Sequence, residues 1–153
     1  MLSFKQYLLE GAEEHEKFKD HTKNPYHKLL TQHGWQHQKT EHAKNPFAKD
    51  NPRADSTTHT YTHPKHEGSS VKIEQEHDTS VGHGGMAAKE STFSHRHKQS
   101  NGIIAPSHGE TKPQLHRSLS QHYGVPKGME APKLTAAEKK YAHIRPAYKH
   151  NED

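Results

Sequence analysis

TTHTYTHPKHEGSSVKIEQE, residues 57–76, decides the fold class. Its second half alternates: Val71 and Ile73 fall on one face, and Lys72, Glu74 and Glu76 on the other. A period of two marks a half-buried strand. Thr57 to His63 is rich in Thr and Tyr, which suit a pleated surface. Pro64 to Gly68 supplies a turn, and strands joined by so short a link pair antiparallel.

Further strands flank this pair. Trp35 to Thr40 precedes it across a polar loop at 41–55, which holds two Asn-Pro pairs. Thr92 to His97 follows across a Gly-rich loop at 78–90, and Asn101-Gly102 marks a tight turn before Ile103-Ile104.

Helices bracket the strands. Asn24-Pro25 reads as N-cap and first turn, Tyr26, Leu29, Leu30 and His33 share a face, and Gly34 is the stop. Thr111 and Gln114 have capping-box spacing before Leu115, Leu119 and Tyr123, and Gly124 with Pro126 closes that helix. A last helix is expected from Thr135, with Glu138 completing its capping box and Pro146 ending it. Its apolar face is only Ala137, Tyr141 and Ile144, so a loose or weakly docked element is expected. Residues 1–11 form an amphipathic pattern with Phe4, Tyr7 and Leu8 on one face.

The expected architecture is a small α+β fold: a three- or four-stranded antiparallel sheet with two helices on one face (α-β-β-β-α). The expected core is Tyr26, Leu29, Leu30, Trp35, Tyr61, Val71, Ile73, Phe93, Leu115, Leu119 and Tyr123. The chain divides into an amphipathic helix and charged linker (1–23), the domain with its long loops (24–126) and a C-terminal appendage (127–153).

Composition limits the size of that domain. Leu, Ile, Val and Phe make up only 19 of 153 residues, below the level that supports one large core. With no cysteine, disulfides, thiolate metal sites and cysteine nucleophiles are excluded. No apolar run resembles a signal peptide or could span a membrane, so a cytoplasmic setting is expected. The formal charge is +4 with neutral imidazoles, and the 18 histidines would carry it to +22 in mild acid. A polyanionic partner suits such a chain.

Three pieces within about 24–126 resemble the HicA-type small domain, whose fold is similar to the double-stranded-RNA-binding domain. They are Leu29-Leu30-x-x-His33-Gly34-Trp35, Thr58-His59-Thr60-Tyr61-Thr62-His63-Pro64, and Ala105-Pro106-Ser107-His108-Gly109 leading into Lys112 to Leu119. The last resembles that family's Pro-x-His turn and final helix. The family's strand opens Gly-Ser-His-His, with the first His as its catalytic candidate. Here the matching place holds Thr58, unless Ser94-His95-Arg96-His97 is the matching strand; both registers stay open. Separately, Met1 to Gly11 resembles the capsid-targeting peptide of internal head proteins in T-even-type phages. That resemblance implies prohead-protease cleavage after Leu8-Leu9-Glu10, between Glu10 and Gly11.

The resemblance implies RNA chemistry. Cleavage requires no protein nucleophile, since the ribose 2′-OH attacks the phosphate and a His supplies acid–base assistance. His59, His63 and His95 are the catalytic candidates. Binding alone requires a basic face, for which Lys65, Lys72, Arg96, Lys98, Lys112 and Arg117 are the candidates. No cofactor is expected. Zinc is the alternative, through His63-x-x-His66 and His95-x-His97, although a zinc site takes three or four convergent ligands. The expectation is a phage-type, HicA-like domain that binds RNA or another macromolecule without efficient cleavage. The alternatives are a virion (internal head or structural) protein and a metal-independent mRNA interferase toxin. The partners would be RNA, phage head proteins or an antitoxin-like protein, in the host cytoplasm or the virion.

Overall fold

The computed structural model describes residues 19–44, 56–76, 92–98, 104–144 and 146–151. The N-terminal helix, the Glu10–Gly11 junction, the Asn101-Gly102 turn and most of both long loops lie outside the described residues.

A 3-10 turn (His21–Lys23) leads into helix α1 (His27–Gln32). Strands β1 (Gln36–Ala43), β2 (Ser56–Thr62), β3 (Ser70–Glu76), β4 (Thr92–Lys98) and β5 (Ile104–Gly109) follow. Helices α2 (Lys112–Tyr123) and α3 (Ala136–Tyr141) complete the chain. The strands form one antiparallel sheet in sequence order. The fold is the expected α+β type, with five strands where three or four were expected.

The added strand is β5. Ala105 to Gly109, likened above to a Pro-x-His turn, is an edge strand with Pro106 opposite Arg96. Proline lacks an N–H, and an edge strand tolerates that loss because one side needs no partner. Strand β1 also runs to Ala43, into the stretch read as loop.

Helix α1 starts two residues later than Asn24-Pro25 suggested. Asn24 does cap the turn: its Oδ1 accepts from Tyr26 N–H at 2.9 Å, and its Nδ2 donates to Tyr61 Oη at 2.9 Å. Gly34 ends the helix at φ +87°. Both later helices carry full capping boxes, Thr111 with Gln114 and Thr135 with Glu138. Helix α3 stops at Tyr141, five residues short of Pro146.

The core is the expected one. Tyr26, Leu30, Trp35, Tyr61, Val71, Ile73, Phe93, Leu115 and Leu119 form a single buried cluster, with Leu29 and Tyr123 packed against it. Tyr26 meets Phe93 edge-on at 5.6 Å. Gly109 permits this packing, because a Cβ there would collide with the Phe93 ring.

The C-terminal segment lies on α2. Val125 is fully buried; its N–H donates to Lys149 O at 2.7 Å and its carbonyl accepts from Asn151 N–H at 2.8 Å. Arg117 reaches back from α2 to Lys133 O at 3.2 Å, pairs with Glu138 and lies over the Tyr148 ring. The Ala137–Tyr141–Ile144 face points outward, with Tyr141 and Ile144 exposed.

Candidate nucleic-acid face and histidine interior

Register divides the sheet into two unlike faces. On the helix side, one row runs His37, Tyr61, Val71, His95, and the next runs Thr40, His59, Ile73, Phe93, Gly109. On the other side, one row runs Gln36, Thr62, Ser70, Arg96, and the next runs Lys39, Thr60, Lys72, Ser94, His108. A third outer row is Glu41, Thr58, Glu74, Thr92. The outer face is therefore mostly hydroxyls and charges, with Gln36 and the exposed His108 beside them and no Phe, Tyr or Trp among these residues.

A bulge sets the phase of β1. His37 opposes Tyr61 and Lys39 opposes Thr60, so one extra residue lies between them. Before the bulge Trp35 and His37 face inward; after it Thr40 and His42 do. Without this irregularity Lys39 would face the core.

The inner histidines are built into the structure. His59 and His95 are fully buried. His59 Nε2 lies 2.9 Å from Gln75 Oε1, and its Nδ1 lies 2.9 Å from Thr40 Oγ1. His95 Nε2 lies 3.1 Å from Tyr123 Oη, and its Nδ1 lies 3.4 Å from Ser118 Oγ. His63, half-buried at the end of β2, approaches His33 O at 3.2 Å through Nε2, while its Nδ1 accepts from Lys65 N–H at 3.1 Å. These two contacts fix one neutral tautomer, and burial lowers the His63 pKa.

His59 stands apart from the other two catalytic candidates, which share Trp35 as a neighbour. His59 lies in the row of Ile73 and Phe93, and His95 in the neighbouring row two strands away. His63 and His95 both pack edge-on against Trp35, at 5.4 and 6.0 Å. Both ring nitrogens of His59 and of His95 already meet protein partners, and neither ring is open to a macromolecular substrate. Thr58, which stands in the family's catalytic place under one register, is on the outer face opposite Glu41 and Glu74.

The cationic candidates divide between surfaces. Lys72 and Arg96 are exposed on the outer face. Lys98 ends β4 opposite Ile104. Lys65 is exposed in the β2–β3 turn, and Lys112 opens α2. Arg117 holds the C-terminal segment, and its hydrogen bond to Glu138 raises its pKa. The same contact, with the Thr135 cap, holds the Glu138 carboxyl at about 2.

Among the metal candidates, the His63 and His66 rings lie 4.4 Å apart, and His97 is in β4 opposite Ala105. Among the described residues no group of three or more His, Asp or Glu side chains could hold a metal ion. No described helix is long and apolar enough to cross a membrane.

Sequence reading missed two further imidazole groups. His21 stacks on His37 at 3.7 Å and meets His27 edge-on, and His27 Nδ1 lies 2.8 Å from Tyr61 Oη. Burial, then the His21 charge, lowers the pKa of both His27 and His37. On the other side of the core, His33 Nε2 lies 2.8 Å from His116 Nδ1. His116 Nε2 lies 2.8 Å from Glu130 O. The advance signals were that His33 shares a face with Leu29 and Leu30 and that His37 lies in strand phase with Trp35.

No family model, characterised protein or solved structure matches the chain.

Proposed function

We propose that this protein is an RNA-binding α+β domain that holds RNA without cleaving it. The observation that carries this reading is the two-faced sheet. Its buried imidazoles His59 and His95 are committed to the interior, while its outer face carries Thr and Ser hydroxyls with the exposed Lys72, Arg96 and His108. Hydroxyls and cations suit phosphate oxygens and ribose 2′-hydroxyls. Thr58 supports the non-cleaving half of the reading: it cannot titrate near neutrality, and the flanking Glu41 and Glu74 disfavour a phosphate at that spot.

The test is fluorescence anisotropy with a labelled RNA duplex across a salt series. Binding should weaken as salt rises, and Lys72→Ala with Arg96→Ala should flatten the log–log slope by roughly 0.7–0.9 per cation removed. Absence of binding at low salt, or a slope unchanged by both substitutions, overturns the reading. RNA cut by the wild-type protein but not by His59→Ala would return it to the nuclease class.

A further inference from the structure

We propose that the His33–His116 pair is an acid-sensitive clasp between α1 and α2, which parts in mild acid while the C-terminal segment stays on α2. The proton inventory follows from the geometry. The Glu130 carbonyl can only accept, so His116 carries hydrogen on Nε2. In the neutral pair His116 Nδ1 is then an acceptor, and His33 Nε2 donates to it. One added proton can be shared along this line. Two cannot, because two N–H groups would face each other across 2.8 Å.

The surroundings do not relieve the charge. His33 is buried at the end of α1. The charged groups acting on it are His116 from α2 and His63 from the end of β2, and both are imidazoles. His116 faces the Glu130 carbonyl and the Ser120 hydroxyl. Burial, then His116 and His63, lowers the His33 pKa to about 4.

The contacts holding the C-terminal segment differ in kind. Arg117 remains charged, and Glu138 ionises at about 2. The Val125–Lys149 and Val125–Asn151 bonds are backbone pairs with no titratable partner. The remaining contact, His116 Nε2–H to Glu130 O, has its donor in either protonation state, so mild acid acts on the helix–helix contact and spares the segment.

Hydrogen exchange of the full chain at pH 7.5 and 4.5, corrected for intrinsic rates, reads this directly. Local opening of the segment around residues 26–35 should rise on the order of 50-fold, from the shift of the His33 pKa. Protection in residues 125–151 should change less than about 3-fold on the same principle. His33→Gln keeps an N–H donor toward His116 without titrating, and should abolish most of the rise. If His33→Gln does not fold at neutral pH, His116→Gln tests the other half of the pair. Wild-type imidazole nitrogen shifts at pH 7.5 should also show Nε2–H tautomers at both residues. Equal loss of protection in both segments overturns the proposal, as does an unchanged rise in either folded variant or the opposite tautomer at His116. None of these outcomes depends on RNA binding.

Discussion

Thr40 Oγ1 lies 2.9 Å from His59 Nδ1 and 2.8 Å from His37 Nε2, so one hydroxyl links a half-exposed imidazole to a fully buried one. The hydroxyl has a single hydrogen. With Gln75 Oε1 accepting from His59 Nε2–H, Thr40 donates to His59 Nδ1 and accepts from His37 Nε2–H. Thr40→Val keeps the shape but removes that donor. We expect a loss of about 1–3 kcal/mol in urea unfolding, and a much smaller one for Thr40→Ser. Equal stability of the Val variant and wild type would show that the bond to His59 contributes nothing.

Gly34 and Gly128 both have positive φ, +87° and +81°, but different surroundings. A Cβ at Gly34 would lie 2.7 Å from His63 Nε2, whereas at Gly128 nothing lies within 4 Å. Gly128→Ala therefore carries only the left-handed backbone cost, roughly 1 kcal/mol. Gly34→Ala adds displacement of His63 from His33 O, and should cost at least about 2 kcal/mol in total. Denaturant midpoints of the two variants make the comparison.

Stability should fall in mild acid. The His33 pKa is about 4 in the folded chain, against 6.5 for a free imidazole. Between these values the unfolded chain binds the extra proton, so stability is complete above 6.5 and declines as pH drops toward 4. His33 alone accounts for roughly 3 kcal/mol across that window. His27, His37 and His63 are lowered as well and add in the same direction. Thermal unfolding of wild type and His33→Gln from pH 7.5 to 4.5 should show a shallower decline in the variant.

Arg117 and Lys72 were both read from sequence as phosphate-binding candidates, and should behave differently. Arg117 is held by Glu138, Lys133 O and the Tyr148 ring. Arg117→Ala should speed proteolysis within 128–146 and leave the RNA salt slope nearly unchanged. Lys72→Ala should lower that slope by roughly 0.7–0.9 and leave the proteolytic pattern intact. A single digestion series beside the anisotropy titrations checks both.

Much of the fold was legible because a few apolar residues can bury themselves in only one way. Val71 and Ile73 alternate with charges, and Leu115, Leu119 and Tyr123 recur at helical spacing. All eleven residues named from these patterns reach the core. The capping boxes at Thr111 and Thr135 were equally plain, since their hydrogen bonds span three residues.

The fifth strand was less visible. Pro106 and the small residues around it read as a turn, and only pairing with Phe93 to Lys98 makes them an edge. The histidines were least legible, because imidazole suits interior and surface alike. Sequence by itself determined the helices that follow Asn24, the phase of β2 and β3, and the core. Tertiary structure decided which histidines are buried. The bulge after His37 puts Thr40 rather than Lys39 over His59, and the approach of α1 to α2 brings His33 onto His116. Local spacing records periodicity. A bulge partner and a helix contact 83 residues apart are set only when the chain closes on itself.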